Sequence, residues 1–378
     1  MSKKLLLVLL ALLFIALGLS SCQYRTNLQP PNQTRNTTTP PQQESLRDHD
    51  NAEQHDAEQH RDDSNAVRLM FVGDVMMAGK VAETMEKKGN DYPLSEFLPV
   101  LKQADLVIAN LETSVGTSGR LMEKKYAFQT SPDRFQLFEP LKGKILFTLA
   151  NNHGMDGPLE ETMHALDRLG YPYVGVGRNL EQAFQPYVKE INGISFAVIG
   201  ASRVIPASDW VAGEKRPGMA SAYVDEPLLG TIKQWDAKVD YVIIYVHWGK
   251  EHTETSNEIQ LKLEEKLVSV GADLIIGSHP HVLQELKWKE PQQLTAFSLG
   301  NFVFTTSTHE IANETIILDV RLAPDHIARV KVWPGKIHFG LIRHLQENNT
   351  ERKRILERLD RLSPTIRINE DGLVTPAH

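Results

Sequence analysis

Cysteine is almost absent from this 378-residue chain; Cys22 is the only one. No intramolecular disulfide can form, and a thiolate-rich metal site is excluded. A basic excess is also missing, with 41 Lys and Arg against 48 Asp and Glu and a net charge of −7. A nucleic-acid surface therefore has no electrostatic footprint, and no nucleic-acid partner is expected. Neither a Gly-x-Ser-x-Gly elbow nor a Walker-type phosphate loop occurs, which argues against a serine hydrolase and against ATP-driven ligation by this chain itself. What the chain does have is 41% hydrophobic and 24% charged residues, an ordinary globular composition, and 14 histidines. Imidazole and carboxylate chemistry is open to it.

The first 66 residues read as address and tether. Lys3 and Lys4 precede an apolar run from Leu5 to Leu19, which at ~1.5 Å per residue spans about 22 Å, short of the ~30 Å hydrocarbon core. Residues 1–21 are accordingly expected to be a signal peptide rather than a membrane span. The run ends in Leu19-Ser20-Ser21-Cys22, which resembles a bacterial lipobox and implies lipidation of Cys22; an ordinary secretory signal is the alternative. The expected location is the cell envelope, lipid-anchored on the extracytoplasmic side of a membrane. A lipidated Cys22 cannot also be a nucleophile. Residues 22–66 are polar and Pro-rich, with Ala52-Glu53-Gln54-His55 repeated as Ala57-Glu58-Gln59-His60. Such a segment cannot bury enough apolar surface to order itself and is expected to be a flexible stalk. Its histidines, with His49, offer weak metal binding at most.

From Val67 the pattern is α/β. Short apolar runs recur at Val67–Val72, Leu106–Ala109, Ile145–Ala150, Ile194–Ile199, Tyr241–Val246 and Leu274–Ile276, the length of buried strands. Helical patterns fill Pro158–Leu169 and Ser256–Val270, the second stopped by Gly271. Asn192-Gly193 marks a hairpin between Tyr187 and Ile199. A main domain over 67–312 is followed, over 313–378, by expected strands Thr315–Leu322, Ala328–Val332 and Lys336–Leu341 and a helix Glu347–Leu362 packed on it.

Polar residues gather where the strands end. The runs lead directly into Gly73-Asp74, Asn110-Leu111-Glu112, Asn151-Asn152-His153, His247-Trp248-Gly249 and Gly277-Ser278-His279-Pro280-His281. In α/β sheets the carboxyl ends of strands meet at one edge, where ligands bind. Each motif alone fits turn or capping chemistry. Five in succession, delivering Asp, Glu, Asn and His, point to a metal site for Zn, Mn or Fe.

That ordered set, together with Ser298-Leu299-Gly300-Asn301-Phe302, resembles the CapA family of poly-γ-glutamate capsule synthesis proteins, itself similar to calcineurin-like metallophosphoesterases. The resemblance covers about residues 67–305. It implies a four-layer α/β/β/α sandwich of the metallophosphoesterase type, here with a C-terminal β-rich extension, and a site for two divalent metal ions. By position it implies Asp74, Glu112 and His281 at the first metal, Glu112 bridging, and Asn152, His247 and His279 at the second. His153, oriented by Asp156, would stand beside them as a general acid. One residue departs from the phosphoesterase pattern: Met76 occupies the place of a histidine. A thioether is a poor ligand for a hard cation, so the first position is expected to be the weaker.

The resemblance further implies work in poly-γ-glutamate synthesis, export or anchoring. Partners would be an anionic polymer and membrane synthase subunits. Two ions would suit hydrolysis of a phosphoester or of a γ-glutamyl amide, and the sequence does not choose between them. A non-catalytic, lipid-tethered scaffold that binds the polymer or a synthase is the alternative, favoured by Met76 as His153 and Asp156 favour catalysis. Trp248, Glu251 and His252 are placed to line a substrate mouth, or else form a capped loop with one packed indole. Arg203 is placed to reach an anionic substrate. Arg120, Lys124 and Lys125 read as a polyanion contact or, more simply, as a solvated run.

Overall fold

A computed structural model describes residues 66–289 and 291–377. The leader, Cys22 and the tether lie outside the described residues. Among the described residues no helix is long and apolar enough to cross a membrane.

Two sheets carry the fold. In the first, β1 (Val67–Val75), β2 (Leu106–Leu111), β3 (Ile145–Thr148) and β4 (Tyr173–Val174) run parallel in that order. The second begins with the hairpin β5 (Tyr187–Ile191) and β6 (Ile194–Ser202). Asn192 and Gly193 both have positive φ, 53° and 79°, as a tight hairpin turn requires. Next come β7 (Tyr241–His247), β8 (Leu274–Ser278), β9 (Leu286–Lys289) and β10 (Gln293–Ala296). The spatial order is β9-β10-β8-β7-β6-β5, with β10, β8, β7 and β6 mutually parallel.

The chain then returns to the first sheet. β11 (Asn301–Val303) lies parallel against the end of β1, and β12 (Glu314–Leu322) runs antiparallel along its length, Val67 opposite Leu322. β13 (Ile327–His338), β14 (Leu341–His344), β15 (Ile366–Ile368) and β16 (Leu373–Pro376) widen that sheet. The C-terminal β-rich extension is thus continuous with the first sheet. β13 is a single strand where two were expected. Pro334 interrupts the apolar pattern, yet the outer edge of β13 pairs with β16 at Val330–Lys331 and with β14 at Gly335–His338. Proline falls between those partners, where no ladder needs its missing N–H.

Alternation along the strands sorts side chains into layers. Leu69 and Phe71 of β1, Ile108 of β2, Ile243 and Tyr245 of β7 and Ile276 of β8 meet between the sheets. Met70, Val72, Val107 and Ala109 face outward, under α1 (Gly79–Lys88) and α2 (Leu159–Leu169). Val242, Ile244 and Val246 face the other way, under α3 (Leu228–Asp236) and α4 (Glu258–Ser269). Burial on both faces is why these strands read as unbroken apolar runs. The result is the four-layer α/β/β/α sandwich implied by the resemblance. A last helix, α5 (Thr350–Leu362), adds Ile355, Leu356 and Leu359 to the inter-sheet core. Its Arg354 and Arg358 pair with the buried Glu314 of β12, tying the C-terminal elements to the centre of the first sheet.

Candidate metal centre

The carboxyl ends of β1, β2, β7 and β8 deliver the polar residues to one place. At the end of β1 the register with β2 shifts between Val72 and Asp74, a bulge that re-aims the strand. A Cβ on Gly73 would meet the Gly300 carbonyl oxygen at 1.9 Å. Only glycine lets the 298–301 loop come this close, and Asp74 N donates to Gly300 O at 3.1 Å.

Asp74, Glu112, His247 and His279 are buried, and His281 is 12% exposed. Donor atoms of Asp74, Glu112 and His281 lie within 4.8 Å of one another, as do those of Glu112, His247 and His279. Glu112 belongs to both groups. Its Oε1 stands 3.7 Å from His247 Nε2 and 3.8 Å from His281 Nε2. In each imidazole the other nitrogen is held by oxygen: His247 Nδ1 lies 2.9 Å from Ser278 Oγ, and His281 Nδ1 lies 2.8 Å from Asn301 Oδ1 and 3.2 Å from Asp74 Oδ2. Such supports orient a ring so that Nε2 faces a ligand. Asn152 Oδ1 approaches His247 Nε2 to 2.6 Å, and Asn110 Nδ2 donates to Asp74 Oδ1 at 2.8 Å.

The donors fit a divalent cation. Both Glu112 oxygens and His279 Nδ1 are buried without a hydrogen-bond partner, an arrangement that costs free energy unless something else satisfies them. The backbone adds to that cost. His279 (φ 97°) and His281 (φ 58°) occupy the left-handed region, at about 1–3 kcal/mol each for non-glycine residues. Carboxylate, amide and imidazole donors of this kind suit Zn, Mn or Fe.

Without a cation, protons redistribute within the cluster. Burial, then the charge on Asp74, pushes the Glu112 carboxyl well above the usual range. Burial would also raise Asp74, but its hydrogen bond to His281 and the His281 charge outweigh this and hold it low. His281 would be lowered by burial; the charge on Glu112 and the bond to Asp74 instead raise it to about 10. Burial, then the His281 charge, pushes His279 down to about 3. His247 is lowered well below the ordinary range by burial and then by the charges of His279 and His281.

A second group adjoins the first through the Asn152-His153 peptide. His153 Nδ1 lies 2.6 Å from Asp156 Oδ2, which also accepts the Phe128 N–H at 2.7 Å. Lys124 Nζ is 2.5 Å from Asp156 Oδ1, donates to Asn152 O at 2.5 Å and lies 3.3 Å from His153 Nδ1. Lys124 is ambiguous in the sequence alone because its partner is remote along the chain. The supporting roles of Asn110 and Asn301 are equally hidden there, although both belong to quoted motifs.

Other expected site residues fall differently. Glu251 stands at the open side, one carboxylate oxygen within 4.8 Å of donor nitrogens on His279 and His281. Trp248 does not line a substrate mouth. It is fully buried, its indole stacks on Phe297 with centroids 5.6 Å apart, and Nε1 donates to Phe297 O at 2.9 Å. As its position on the strand after His247 dictates, it points into the outer core. Arg203 lies next to the site in backbone only, its N donating to His247 O at 2.7 Å. Its guanidinium covers the Tyr223 ring at 4.5 Å and lines a separate groove with Ile259, Lys262 and Lys266. Met76 is turned into the outer core, its sulfur accepting the Ala78 N–H at 3.2 Å.

A family model described as bacterial capsule synthesis protein PGA_cap matches residues 68–306. The capsule biosynthesis protein CapA of Bacillus anthracis is 32% identical over 286 residues, covering 69% of this chain and 68% of that protein. The PGA biosynthesis protein CapA of Bacillus subtilis (strain 168) is 27% identical over 311 residues, 81% of this chain and 80% of that one. Among solved structures, a hypothetical protein from Thermus thermophilus gives a TM-score of 0.42 at 15% identity, covering 72% of this chain and 100% of that chain. The sulfate thiohydrolase SoxB of Thermus thermophilus gives 0.39 at 15% identity, with coverages of 66% and 44%.

Proposed function

The chain belongs to the bacterial capsule synthesis protein family PGA_cap, and from that premise we propose that it is a metal-dependent hydrolase of capsule biosynthesis. The observation that carries this reading is Glu112, a buried carboxylate with both oxygens unpartnered between the Nε2 atoms of His247 and His281. Asp74, Glu112 and His281 would hold one ion, and Glu112, His247, His279 and Asn152 a second. Divalent ions held there supply Lewis acidity, lowering the pKa of water and neutralising negative charge on a phosphoryl or carbonyl oxygen.

The chain's own residues handle the leaving group. His153 presents Nε2 while Nδ1 is fixed by Asp156, the arrangement of an oriented general acid. As water adds and the scissile bond breaks, Nε2 gives its proton to the departing oxygen or nitrogen. Lys124 holds Asp156 in place through their ion pair. The names of the two Bacillus relatives point to a capsule polymer, and poly-γ-glutamate or a phosphorylated precursor is the substrate class we favour. Lipidation at Cys22 would tether the enzyme to the extracytoplasmic side of a membrane, beside synthase subunits.

A non-catalytic polymer-binding scaffold is the second reading, and it rests on Met76, whose sulfur accepts the Ala78 N–H within the outer core. The experiment is hydrolysis of p-nitrophenyl phosphate and γ-glutamyl p-nitroanilide by the full-length protein, with Mn2+ and with chelator. Metal-dependent turnover lost in Glu112→Gln supports the hydrolase. Metal-loaded protein that binds polyglutamate but turns over neither substrate supports the scaffold.

A further inference from the structure

The two candidate metal positions are unequally supplied. One draws on Glu112, His247 and His279, with Asn152 Oδ1 2.6 Å from His247 Nε2. Among the His, Cys, Asp and Glu of the described residues, the other draws on Asp74, Glu112 and His281. Zn2+ completes its shell with four ligands, and Mn2+ prefers six in octahedral array. Met76, two residues after Asp74, has its sulfur engaged elsewhere, accepting the Ala78 N–H within the outer core. Asn301 is engaged as well, its Oδ1 on His281 Nδ1 at 2.8 Å and its Nδ2 donating to Ala312 O at 3.0 Å.

Glu251 approaches from the solvent side, beside one histidine of each position. One of its carboxylate oxygens shares a sphere of donor atoms, all within 4.8 Å of one another, with nitrogens of His279 and His281. The local backbone holds it there. Gly249 (φ 92°) and His252 (φ 59°) reverse the chain on either side, and His252 N donates to Pro280 O at 2.8 Å. The loop carrying Glu251 is thereby pinned to the segment carrying both histidines. His279 Nδ1 is buried without a hydrogen-bond partner, so this imidazole has a nitrogen available to a ligand.

We propose that Glu251 is a metal ligand whose carboxylate, together with His281, completes the position built on Asp74 and Glu112. A hard carboxylate oxygen takes the coordination place that the Met76 thioether does not fill. The inference rests on the reading of the cluster as a metal centre.

The test is Mn2+ binding to the purified full-length chain, read from the electron paramagnetic resonance signal of the free aquo ion. Wild type is compared with Glu251→Gln and Glu251→Ala. The histidines between 49 and 60 are common to all three proteins and cancel in the comparison. We expect two ions on the wild type. In both variants one ion is retained, and the other binds at least about tenfold more weakly. Because Glu251 is exposed, the metal-free variants should melt with the wild type. Equal stoichiometry and affinity in all three proteins would overturn the assignment of Glu251 and leave the metal centre standing. Absence of bound Mn2+ on the wild type would overturn the metal reading itself, and the ligand assignment with it.

Discussion

Glu112 Oε1 lies 3.7 Å from His247 Nε2, and no hydrogen bond reaches either oxygen of this buried carboxylate. Two strands from different sheets make the approach, Glu112 directly following β2 and His247 closing β7. A buried carboxylate in this position demands either a proton or a cation. Burial and the neighbouring Asp74 raise its pKa well above the ordinary range, and an ion bound there would take the place of any proton it carries.

Replacement of Glu112 by Gln therefore separates folding from metal binding. Saturating Mn2+ at a hundred times Kd should stabilise the wild type by about 2.7 kcal/mol. Glu112→Gln should melt near the metal-free wild type and gain far less from the ion. Thermal melts with Mn2+ and with chelator give the comparison. An equal shift in both proteins would remove Glu112 from the site.

His153→Asn should leave metal content intact and lower kcat by about 10²–10⁴. The ring bonds to Asp156 and packs on Phe128, with centroids 4.8 Å apart, and takes no part in either group of metal donors. Lost metal in this variant, or full turnover, would contradict its role.

Much of this site was legible because apolar strands end in polar residues at one sheet edge. Asp74, Glu112, Asn152, His247, His279 and His281 each follow or close such a run, and the fold gathers them. Residues whose meaning lies in remote pairing were not legible. Lys124 sits in a charge run that reads as solvated until Asp156 is found beside it. Trp248 follows a site histidine but belongs to the opposite face, since successive strand residues alternate. Pro334 reads as a break in a strand, and only the gap between β14 and β16 explains why β13 continues through it.

Met76→Leu should retain metal, fold and turnover. The sulfur makes a single bond, to Ala78 N at 3.2 Å, and a volume-conserving swap in a core costs under about 1.5 kcal/mol. Metal content measured on the variant decides the matter. A lost ion would make Met76 a ligand after all.

The metal-free protein should be most stable near the ordinary histidine pKa of 6.5. His279, at about 3 when folded, contributes stability fully present above 6.5 and lost as pH falls towards 3, because the unfolded chain takes up the proton first. His281, at about 10 when folded, contributes stability fully present below 6.5 and lost as pH rises through 10. Melting temperatures of chelator-treated protein from pH 4 to pH 10 should show both limbs. Bound metal replaces the His281 proton, so loading should flatten the alkaline limb. A metal-free profile still rising at pH 9 would contradict the proton distribution.

The most direct test is the metal content of the full-length chain, purified without chelating resin and measured by elemental analysis beside Glu112→Gln. The account predicts close to two transition-metal ions per wild-type chain and a clear deficit in the variant. No bound ion in the wild type, even after Mn2+ or Zn2+ is added, would contradict it.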